Sequence, residues 1–385
     1  MFWPPRRVEQ LRATGFRPPF CPWPECAQHQ LRDPEAFRYR RAGFYSRLCD
    51  QRRIPRFCCK ACGRTFSQQT FACTYYMKHP ELLPVVAAGL NAGSAHRQIA
   101  RTVGCAPSSV TRLSARLGRH SVLLHFSAFA ALDTIREPVV LDHFESFVHS
   151  QHHPVGLGTP VGHNSWFCYG LDPAPHRRGG RLSPAQRRAA PRRAPPRGSV
   201  VDSFRRMLDL LQSKIDEKLV LISDGHPAYR RGLVHHTAAG RIEHRVHRNP
   251  RRGPKGSPRS LEARQRDQAM FPVDLLHALW RHSCAHHRRE TIAFARRVYS
   301  VMERGFLMLV WRNFVKGVSE RRGDRTTPAM RLGLTDQPWS WQRVLAQRLF
   351  PTRIAAPEAW KTTYQRDWKL PGIGVHTGHL LKHAY

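Results

Sequence analysis

The chain has 385 residues, in which Lys and Arg outnumber Asp and Glu by 63 to 27 and give a formal net charge of +36. So large an excess of positive charge favours a polyanionic partner such as nucleic acid. The sequence has no apolar run of about 18 residues, so we expect no membrane-spanning helix. Residues 1–7 carry prolines and arginines in place of an apolar signal segment, and we therefore expect a cytoplasmic protein.

Six of the ten cysteines lie within the first 62 residues. In a reducing compartment, such a cluster is typical of metal ligands rather than of disulfides. Two short knuckles, each with a pair of thiols, predict a structural zinc site with four sulfur ligands. These ligands would be Cys21, Cys26, Cys59 and Cys62. Cys58 is an alternative to Cys59, and His29 lies near Cys26, so both of them stay open as ligands.

The segment between the two knuckles alternates aromatic and basic residues. Residues 37–45 and 54–57 show this alternation and predict a β-hairpin. So small a unit cannot bury a sufficient core by itself, and the metal would supply its folding energy. We therefore expect a DNA-binding zinc ribbon over residues 1–80.

Residues 81–122 carry the signals of two helices joined by a tight turn. Ser94 is placed to cap the first helix, Gly104 to end it, and Pro107 to begin the second. This order is the helix-turn-helix plan, although any helical hairpin shares the pattern. The second helix would present several side chains to a DNA groove and its phosphates. They are Ser108, Ser109, Thr111, Arg112 and Arg116.

Two short apolar runs further along the chain predict buried strands. Residues 138–141 and 219–223 are rich in Val, Leu and Ile, and they lead into Asp142 and Asp224. Two carboxylates at neighbouring strand ends can hold divalent ions about 3.5–4 Å apart, which activate water for phosphodiester cleavage. The plain alternative is that each aspartate is a turn residue. Glu145 would point to the opposite face from Asp142 if that strand continues.

The motifs together resemble those of bacterial insertion-sequence transposases with an acidic (DDE/DDD) catalytic triad. The resemblance spans roughly residues 20–335 and includes Leu141-Asp142-His-Phe and Ile222-Ser-Asp224-Gly-His-Pro-Ala-Tyr229. It implies an α/β fold with a ribonuclease-H-like mixed sheet flanked by helices over residues 130–335. It also implies Mg²⁺ or Mn²⁺ at the triad, a nucleoid-associated location, and a third acid near the start of a long helix after the sheet.

The resemblance assigns this third acid to Asp274. Similar transposases place an arginine seven residues after the acid and then a run like Arg-x-Thr-Ile-x-Phe, and Arg281 and residues 289–294 stand at those offsets. Asp274 would share a helix face with His277 and Arg281, a polar cluster suited to metal and phosphate. Glu290 is the rival, because glutamate is the usual residue. On one continuous helix, the two acids would lie about 24 Å and roughly 160° apart, so only one could serve.

Four remaining stretches have weaker signals. Residues 174–199 carry many arginines and prolines, which favours either a loop that grips phosphates or a plain disordered insertion. Residues 241–266 are basic and would clamp DNA next to the metals. Residues 293–308 would continue the long helix with a core-facing stripe of Phe294, Val298, Val301 and Met308. No role is predicted for residues 336–385.

The predicted activity is metal-dependent cleavage at the ends of a mobile element, followed by strand transfer into target DNA. The partners would be terminal inverted repeats and target DNA, bound by a homo-oligomer because two ends must be brought together. A DNA-binding protein derived from a transposase, without catalysis, is one alternative. A structure-selective nuclease of the same fold is another.

Overall fold

The structure is a computed structural model. It describes residues 15–179, 182–189, 199–251, 253–254, 256–289, 291–346, 348–370 and 373. These residues form two compact units. The first takes the described residues up to Leu83 together with Gln342–Ala355, and the second takes Pro84–Trp341 and the described residues from Ala356. Within the described part of the chain, no helix has both the length and the apolarity that crossing a membrane requires.

The first unit is built on a three-stranded antiparallel sheet. Strands β1 (Tyr39–Ser46) and β2 (Arg53–Cys59) pair as the predicted hairpin, and β3 (Thr65–Ser67) pairs with β2. The pairing of β1 with β2 shifts around Gly43, whose φ of +78° is a conformation that favours glycine. A small aromatic core packs beside the sheet. It contains Phe37, Phe57, Phe66, Phe71 and Phe350.

Three helices follow the first sheet along the chain. They are α1 (Leu82–Asn91), α2 (His96–Val103) and α3 (Pro107–Ala130). The turn between α2 and α3 is made by Gly104, whose φ of +68° and ψ of +37° give the left-handed helix end that the sequence predicted. α3 has 24 residues and is buried over most of its length from Ser114 onward. The second helix of the predicted helix-turn-helix is therefore only the beginning of α3, which continues well beyond it into the core.

The cap of α2 differs from the prediction. The helix begins at His96, so Ala95 rather than Ser94 occupies the N-cap position. Ala95 has no side-chain oxygen to accept a hydrogen bond from the helix. Instead, the side chain of Gln98 reaches back, and its Oε1 accepts a hydrogen bond from the N–H of Ala95 at 2.7 Å. The glutamine at the third helical position thus supplies half of a capping box without a capping hydroxyl.

The second unit contains a five-stranded mixed sheet. Its strands are β4 (Val139–Phe147), β5 (Pro154–Gly162), β6 (Asp172–Pro175), β7 (Leu219–Ser223) and β8 (Ile242–Val246). The strand order is β6-β5-β4-β7-β8. The pairs among β4, β5 and β6 are antiparallel, whereas β7 runs parallel to both β4 and β8. A mixed α/β architecture with this sheet flanked by helices is therefore confirmed.

Helices pack against the sheet at several places. α4 (Pro184–Ala189), α5 (Ser199–Gln212) and α6 (Pro227–Leu233) lie between strands in the sequence, and α5 packs against β5, β6 and α6. α7 (Leu261–Ser283) packs against β4, β5 and β7. Residues 180–181 and 190–198 of the predicted basic insertion lie outside the described residues. The second basic stretch contains β8 and the beginning of α7.

Helix α8 (Val298–Val310) is buried along its length and packs against α3. At their contact, a Cβ on Gly118 would overlap Glu303, so only glycine permits this approach. Because α7 ends at Ser283, the predicted continuous helix past residue 293 was wrong. Phe294 precedes α8 and is 36% exposed, whereas the other stripe residues are buried.

This break also removes the geometric argument that separated Asp274 from Glu290. The two residues do not lie on one helix, because the chain leaves the helical conformation at Cys284. Glu290 itself lies outside the described residues. The case for Asp274 therefore depends on its own surroundings rather than on the exclusion of its rival.

Three short α-helices follow α8 in the described part of the chain. They are α9 (Pro328–Arg331), α10 (Trp341–Val344) and α11 (Glu358–Gln365). Residues 342–355 of the unassigned tail belong to the first unit, where Phe350 joins the aromatic core. α11 belongs to the second unit and packs on α3 and α8 through the buried Trp360. Phe350, Trp360 and Tyr364 of the tail are thus core residues.

Candidate metal centre and acidic site

Four thiols of the first unit converge on one point. The ligand atoms of Cys21, Cys26, Cys59 and Cys62 all lie within 4.8 Å of one another. The Sγ atoms of Cys21 and Cys62 are 3.7 Å apart, and those of Cys26 and Cys59 are 3.8 Å apart. In a tetrahedral site with Zn–S bonds of about 2.3 Å, neighbouring sulfurs lie about 3.8 Å apart. The cluster therefore fits a zinc ion, as the sequence predicted.

Tight turns aim these thiols at the same point. The N–H of Gly63 donates to the carbonyl of Cys59 at 3.0 Å, and the φ of Gly63 is +70°. The N–H of Cys26 donates to the carbonyl of Trp23 at 3.1 Å. Burial raises the pKa of the thiols of Cys21 and Cys26. A bound cation would stabilise these two buried thiols as thiolates.

The two alternative ligands have other partners. The Sγ of Cys58 points to the carbonyl of Gly63 at 3.3 Å and does not belong to the four-thiol cluster. The ring of His29 lies between the carbonyl of Cys21, 2.7 Å from Nδ1, and the hydroxyl of Thr352, 2.8 Å from Nε2. Both imidazole nitrogens are thus engaged by the protein. Of Cys58 and Cys59, only Cys59 belongs to the thiol cluster. His29 lies outside the cluster and contacts the backbone of Cys21.

The register of the second sheet places two of the predicted acids at the same level. Val140 of β4 pairs with Ile222 of the parallel strand β7. Asp142 lies two residues after Val140, and Asp224 lies two residues after Ile222. The two aspartates are therefore at the same level of neighbouring strands, where β7 ends. β7 ends at Ser223, whereas β4 continues past Asp142 to Phe147. Asp142 is therefore held inside a strand, and Asp224 begins a loop.

The carboxylate of Asp142 is mostly enclosed, with 22% of the side chain exposed. Its Oδ1 accepts hydrogen bonds from the N–H of His143 at 2.8 Å and from the hydroxyl of Tyr229 at 3.2 Å. Burial, together with the negative charges of Asp224 and Asp274, raises the pKa of Asp142 to about 7. Because the charges of Asp224 and Asp274 both act on this carboxyl, the fold brings the three predicted acids into one electrostatic neighbourhood.

The other two acids have their own partners. One carboxylate oxygen of Asp224 accepts from the N–H of His226 at 2.9 Å, and the other accepts from the side chain of Asn249 at 3.4 Å. Asp274 on α7 forms an ion pair with Arg266, two turns earlier on the same helix. Among the described residues, only the four cysteines gather three or more ligand atoms within the range of one ion. Arg266 therefore neutralises Asp274 in this conformation.

His277 connects the helix α7 to the acidic site. The hydroxyl of Thr159 donates to the backbone carbonyl of Asp142 at 3.0 Å and lies 2.8 Å from Nε2 of His277. Because this hydroxyl has one hydrogen, Nε2 must carry the imidazole hydrogen and donate it. The lone pair of Nδ1 then faces Oδ2 of Asp142 at 3.8 Å, too far for a direct hydrogen bond. Burial lowers the pKa of His277 to about 3, which keeps the ring neutral.

Sequence reasoning missed three residues of this site: Tyr229, Asn249 and Arg266. Tyr229 stood in the quoted motif after Asp224, but only the pairing of β4 with β7 shows that its hydroxyl reaches Asp142. Arg266 was treated as part of a basic stretch, although its spacing of eight residues from Asp274 on one helix places the two on the same face. Glu145 is outside the site, and its carboxylate pairs with His176 at 3.2 Å.

The predicted DNA-contacting residues separate into two groups. Ser108, Thr111 and Arg112 are exposed near the beginning of α3, and Ser109 is half-buried. Arg116 is only 8% exposed, because α3 enters the core at this point, and its predicted place on the DNA-facing surface was wrong. The guanidinium of Arg281 donates to the carbonyls of His287 and Glu145 at 3.1 and 3.0 Å. Arg281 thus ties α7 to β4.

The first unit also contains an open cleft of about 960 Å³. Aromatic and basic side chains contribute to its wall. They include Tyr45, Tyr75, Tyr76, Arg47, Arg56 and Lys78. The Tyr76 side chain is 66% exposed. Aromatic faces next to positive charges are suited to contacts with nucleic acid.

Comparison with known proteins adds no family. No protein-family model matches the sequence, and no curated protein matches it. The geometry of the thiol cluster, the acidic site and the exposed basic surfaces is therefore the basis for a functional proposal.

Proposed function

We propose that the chain is a DNA transposase whose second unit has a ribonuclease-H-like catalytic fold. It would cleave DNA at the ends of a mobile element and join the freed 3′ ends to target DNA. The observation that carries the proposal is the electrostatic convergence of Asp142, Asp224 and Asp274 at one edge of the mixed sheet. Arg266 pairs with Asp274, but Asp142 and Asp224 share this neighbourhood without a guanidinium partner among the described residues, which favours a metal-dependent site.

The donor set fits Mg²⁺ or Mn²⁺. Hard carboxylate oxygens are the ligands that these ions prefer, and Asp142, Asp224 and Asp274 would hold them. Such ions, when bound, activate water and stabilise the leaving oxygen in phosphodiester cleavage. The surrounding residues orient the acids: Tyr229 fixes one oxygen of Asp142, and Asn249 fixes one oxygen of Asp224.

Arg266 would have to leave Asp274 before this acid could act as a ligand. Its guanidinium is charged at all relevant pH values and suits a DNA phosphate as well as a carboxylate. We infer that the arrival of the DNA backbone draws Arg266 from Asp274. The acidic site would then be completed only when substrate is present.

Other surfaces support DNA as the partner. The unit that contains the four-cysteine cluster also has a cleft of aromatic and basic residues. Separately, α3 exposes Ser108, Thr111 and Arg112. The net charge of +36 would make binding strongly dependent on salt, because counterions are released from phosphates. These surfaces would recognise the terminal repeats, and synapsis of two ends would require a homo-oligomer.

Cleavage of DNA by the full chain tests the proposal. Duplexes that carry the sequences flanking the gene are incubated with Mg²⁺ or Mn²⁺, and nicks are mapped. We expect Asp142→Ala, Asp224→Ala and Asp274→Ala to abolish nicking and to keep DNA binding. Glu145→Ala is the matched control, because it removes an acid from the same strand β4 but outside the site, and it should cleave normally. Normal cleavage by Asp142→Ala or Asp224→Ala would refute the proposal.

A DNA-binding protein without catalysis is the second candidate, and the ion pair between Arg266 and Asp274 is the observation that favours it. A wild-type chain that binds the gene ends but cuts no DNA with either metal would support this candidate. A structure-selective nuclease would instead cut branched DNA regardless of the end sequences. Glu290→Ala belongs in the same series, since a loss of cleavage there with activity kept in Asp274→Ala would assign the third acid to Glu290.

A further inference from the structure

Trp166 has a backbone conformation that is rare for a large side chain. Its φ is +63°, in the left-handed region that usually favours glycine or asparagine. Two hydrogen bonds close the turn around it: the N–H of Trp166 donates to the carbonyl of Gly162 at 3.0 Å, and the N–H of Gly162 donates to the carbonyl of Phe167 at 2.9 Å. Strain of this kind persists only where the surroundings enforce it, and it is concentrated at functional sites.

A buried carboxylate enforces the turn. Glu137 is 9% exposed, and its Oε2 accepts hydrogen bonds from the N–H groups of Asn164 and Ser165 at 2.7 and 2.8 Å. The hydroxyl of Tyr169 donates to the same carboxylate at 2.6 Å. The loop that carries Trp166 is thus anchored on both sides of the indole. These hydrogen bonds hold the backbone on both sides of Trp166 and so fix the position of its indole ring.

The indole forms an aromatic pair with Phe271 of α7. The ring centroids are 5.5 Å apart, and Phe271 is 47% exposed. Phe271 precedes Asp274 by three residues, which places it one helical turn away and about 60° around the helix axis. The half-exposed ring of Phe271, with Trp166 against it, therefore lies one helical turn from the third acid of the proposed catalytic site.

Two arginines accompany this pair. The guanidinium carbons of Arg331 and Arg312 lie 4.8 and 5.7 Å from the centre of the Trp166 ring. Arg312 is 2% exposed, and its Nη1 has no hydrogen-bond partner among the described residues. Burial and the nearby charge of Arg331 lower the pKa of Arg312 to about 10. The carboxylate of Asp324 is 3.9 Å from Arg331, so it compensates the two positive charges only weakly.

Core packing alone does not account for these features. A residue needed only for packing would not require a left-handed backbone at Trp166, where glycine or asparagine would fold without strain. It would also not leave the Phe271 ring half-exposed. Aromatic rings with adjacent guanidinium groups form the usual platform on which a nucleic-acid base stacks, while its phosphate faces the positive charge.

We propose that Trp166 and Phe271, with Arg331 and Arg312, bind one DNA nucleotide that has left the base stack next to the scissile phosphate. The base packs on the aromatic pair, and its phosphate faces Arg331 at the surface, in the field of Arg312 behind it. The proposal rests on the proposed DNA function and deepens it, since an unstacked base would fix the position of the backbone at the acidic site.

Binding of paired and unpaired bases by the full chain tests this site. The probes are two short duplexes that differ only in whether one 2-aminopurine is paired or bulged, and the magnesium-free buffer prevents cleavage. We expect the wild-type protein to bind the bulged duplex about tenfold tighter and to quench its fluorescence, because stacking on an aromatic ring stabilises a free base by about this factor. Phe271→Ala and Trp166→Gly should bind both duplexes equally.

Two further variants separate stacking from folding. Phe271→Tyr keeps a ring and should keep the preference, and Leu261→Ala removes another exposed apolar side chain of α7 and should also keep it. Equal binding of both duplexes by the wild type, or a preference that survives Phe271→Ala, would overturn the inference while leaving the DNA function intact. A failure to bind either duplex would overturn both proposals.

Discussion

Replacing Asp142 by asparagine should stabilise the metal-free protein at neutral pH. The pKa of this carboxyl rises from 3.8 to about 7 on folding, because the group is buried near Asp224 and Asp274. A shift of about three units corresponds to about 4 kcal/mol at roughly 1.4 kcal/mol per unit. Since 22% of the side chain is exposed, solvent screening reduces this value, and we expect about 2 kcal/mol.

The pH dependence follows from the direction of the shift. The folded state holds its proton up to about pH 7, whereas the unfolded chain loses it near pH 3.8. The free energy of unfolding therefore falls as pH rises between these values and is constant above them. Asparagine has no proton to lose. The difference between Asp142→Asn and wild type should be near zero at pH 4 and largest at pH 8.

The assay is urea unfolding of zinc-loaded protein in magnesium-free buffer across this pH range. Glu145→Gln on the same strand is the control: it should not gain stability at pH 8, and it should change the profile only where His176, whose pKa the nearby carboxylate of Glu145 raises, loses its proton. Addition of Mg²⁺ at pH 8 should stabilise the wild type more than Asp142→Asn, since the ion removes the repulsion that the substitution also removes. If Asp142→Asn is no more stable than wild type at pH 8, the three carboxylates do not crowd one another, and the reasoning fails.

Three other predictions concern the thiol cluster, Arg266 and the exposed beginning of α3. Metal analysis should find one zinc ion per chain in the wild type and none in Cys59→Ser. The control Cys49→Ser, which removes an exposed thiol outside the cluster, should keep the ion. Zinc retained by Cys59→Ser would show that another cysteine is the ligand. Arg266→Gln should lower the Mg²⁺ concentration for half-maximal thermal stabilisation severalfold, because a competing cation leaves Asp274, and a higher concentration would show that Arg266 supports the site. Arg112→Ala should weaken DNA binding and reduce its salt slope by about 1, as expected for one lost phosphate contact. Arg116→Ala should leave that slope unchanged and lower the melting temperature, because Arg116 is buried.

The sequence predicted the metal centre and the strand-borne acids because their signals are local. Cysteine pairs at knuckle spacing point to a thiol cluster whatever the rest of the fold does. Only the turn at Gly63 shows why Cys59, and not Cys58, faces the other thiols. Similarly, an apolar run before Asp142 and another before Asp224 predict two strands. That these two strands pair in parallel, with the aspartates at the same level, is decided by the whole sheet and cannot be predicted from a local pattern.

Two of the errors have a common physical cause, since both depended on contacts between distant parts of the chain. Nothing between Asp274 and Phe294 is a proline or glycine that would mark a helix end, yet α7 stops at Ser283. The chain after it turns inward and buries His286 and His287. Arg116 stood at a groove-facing spacing, but α3 continues into the core beside α8. Burial against distant parts of the chain, β4 in the first case and α8 in the second, overrides helical periodicity in both places.

The acidic site carries uncompensated negative charge, and the cluster of Trp166, Phe271, Arg331 and Arg312 carries uncompensated positive charge. One substrate would compensate both. At the first, Asp142, Asp224 and Asp274 place more negative charge together than Arg266 neutralises. At the second, Arg312 is buried without a full counter-charge. On the proposed function, DNA with its divalent ions would present cations to the acids and phosphate to the arginines. Binding of the metal–DNA complex, and not of either component alone, would then compensate the charge at both places.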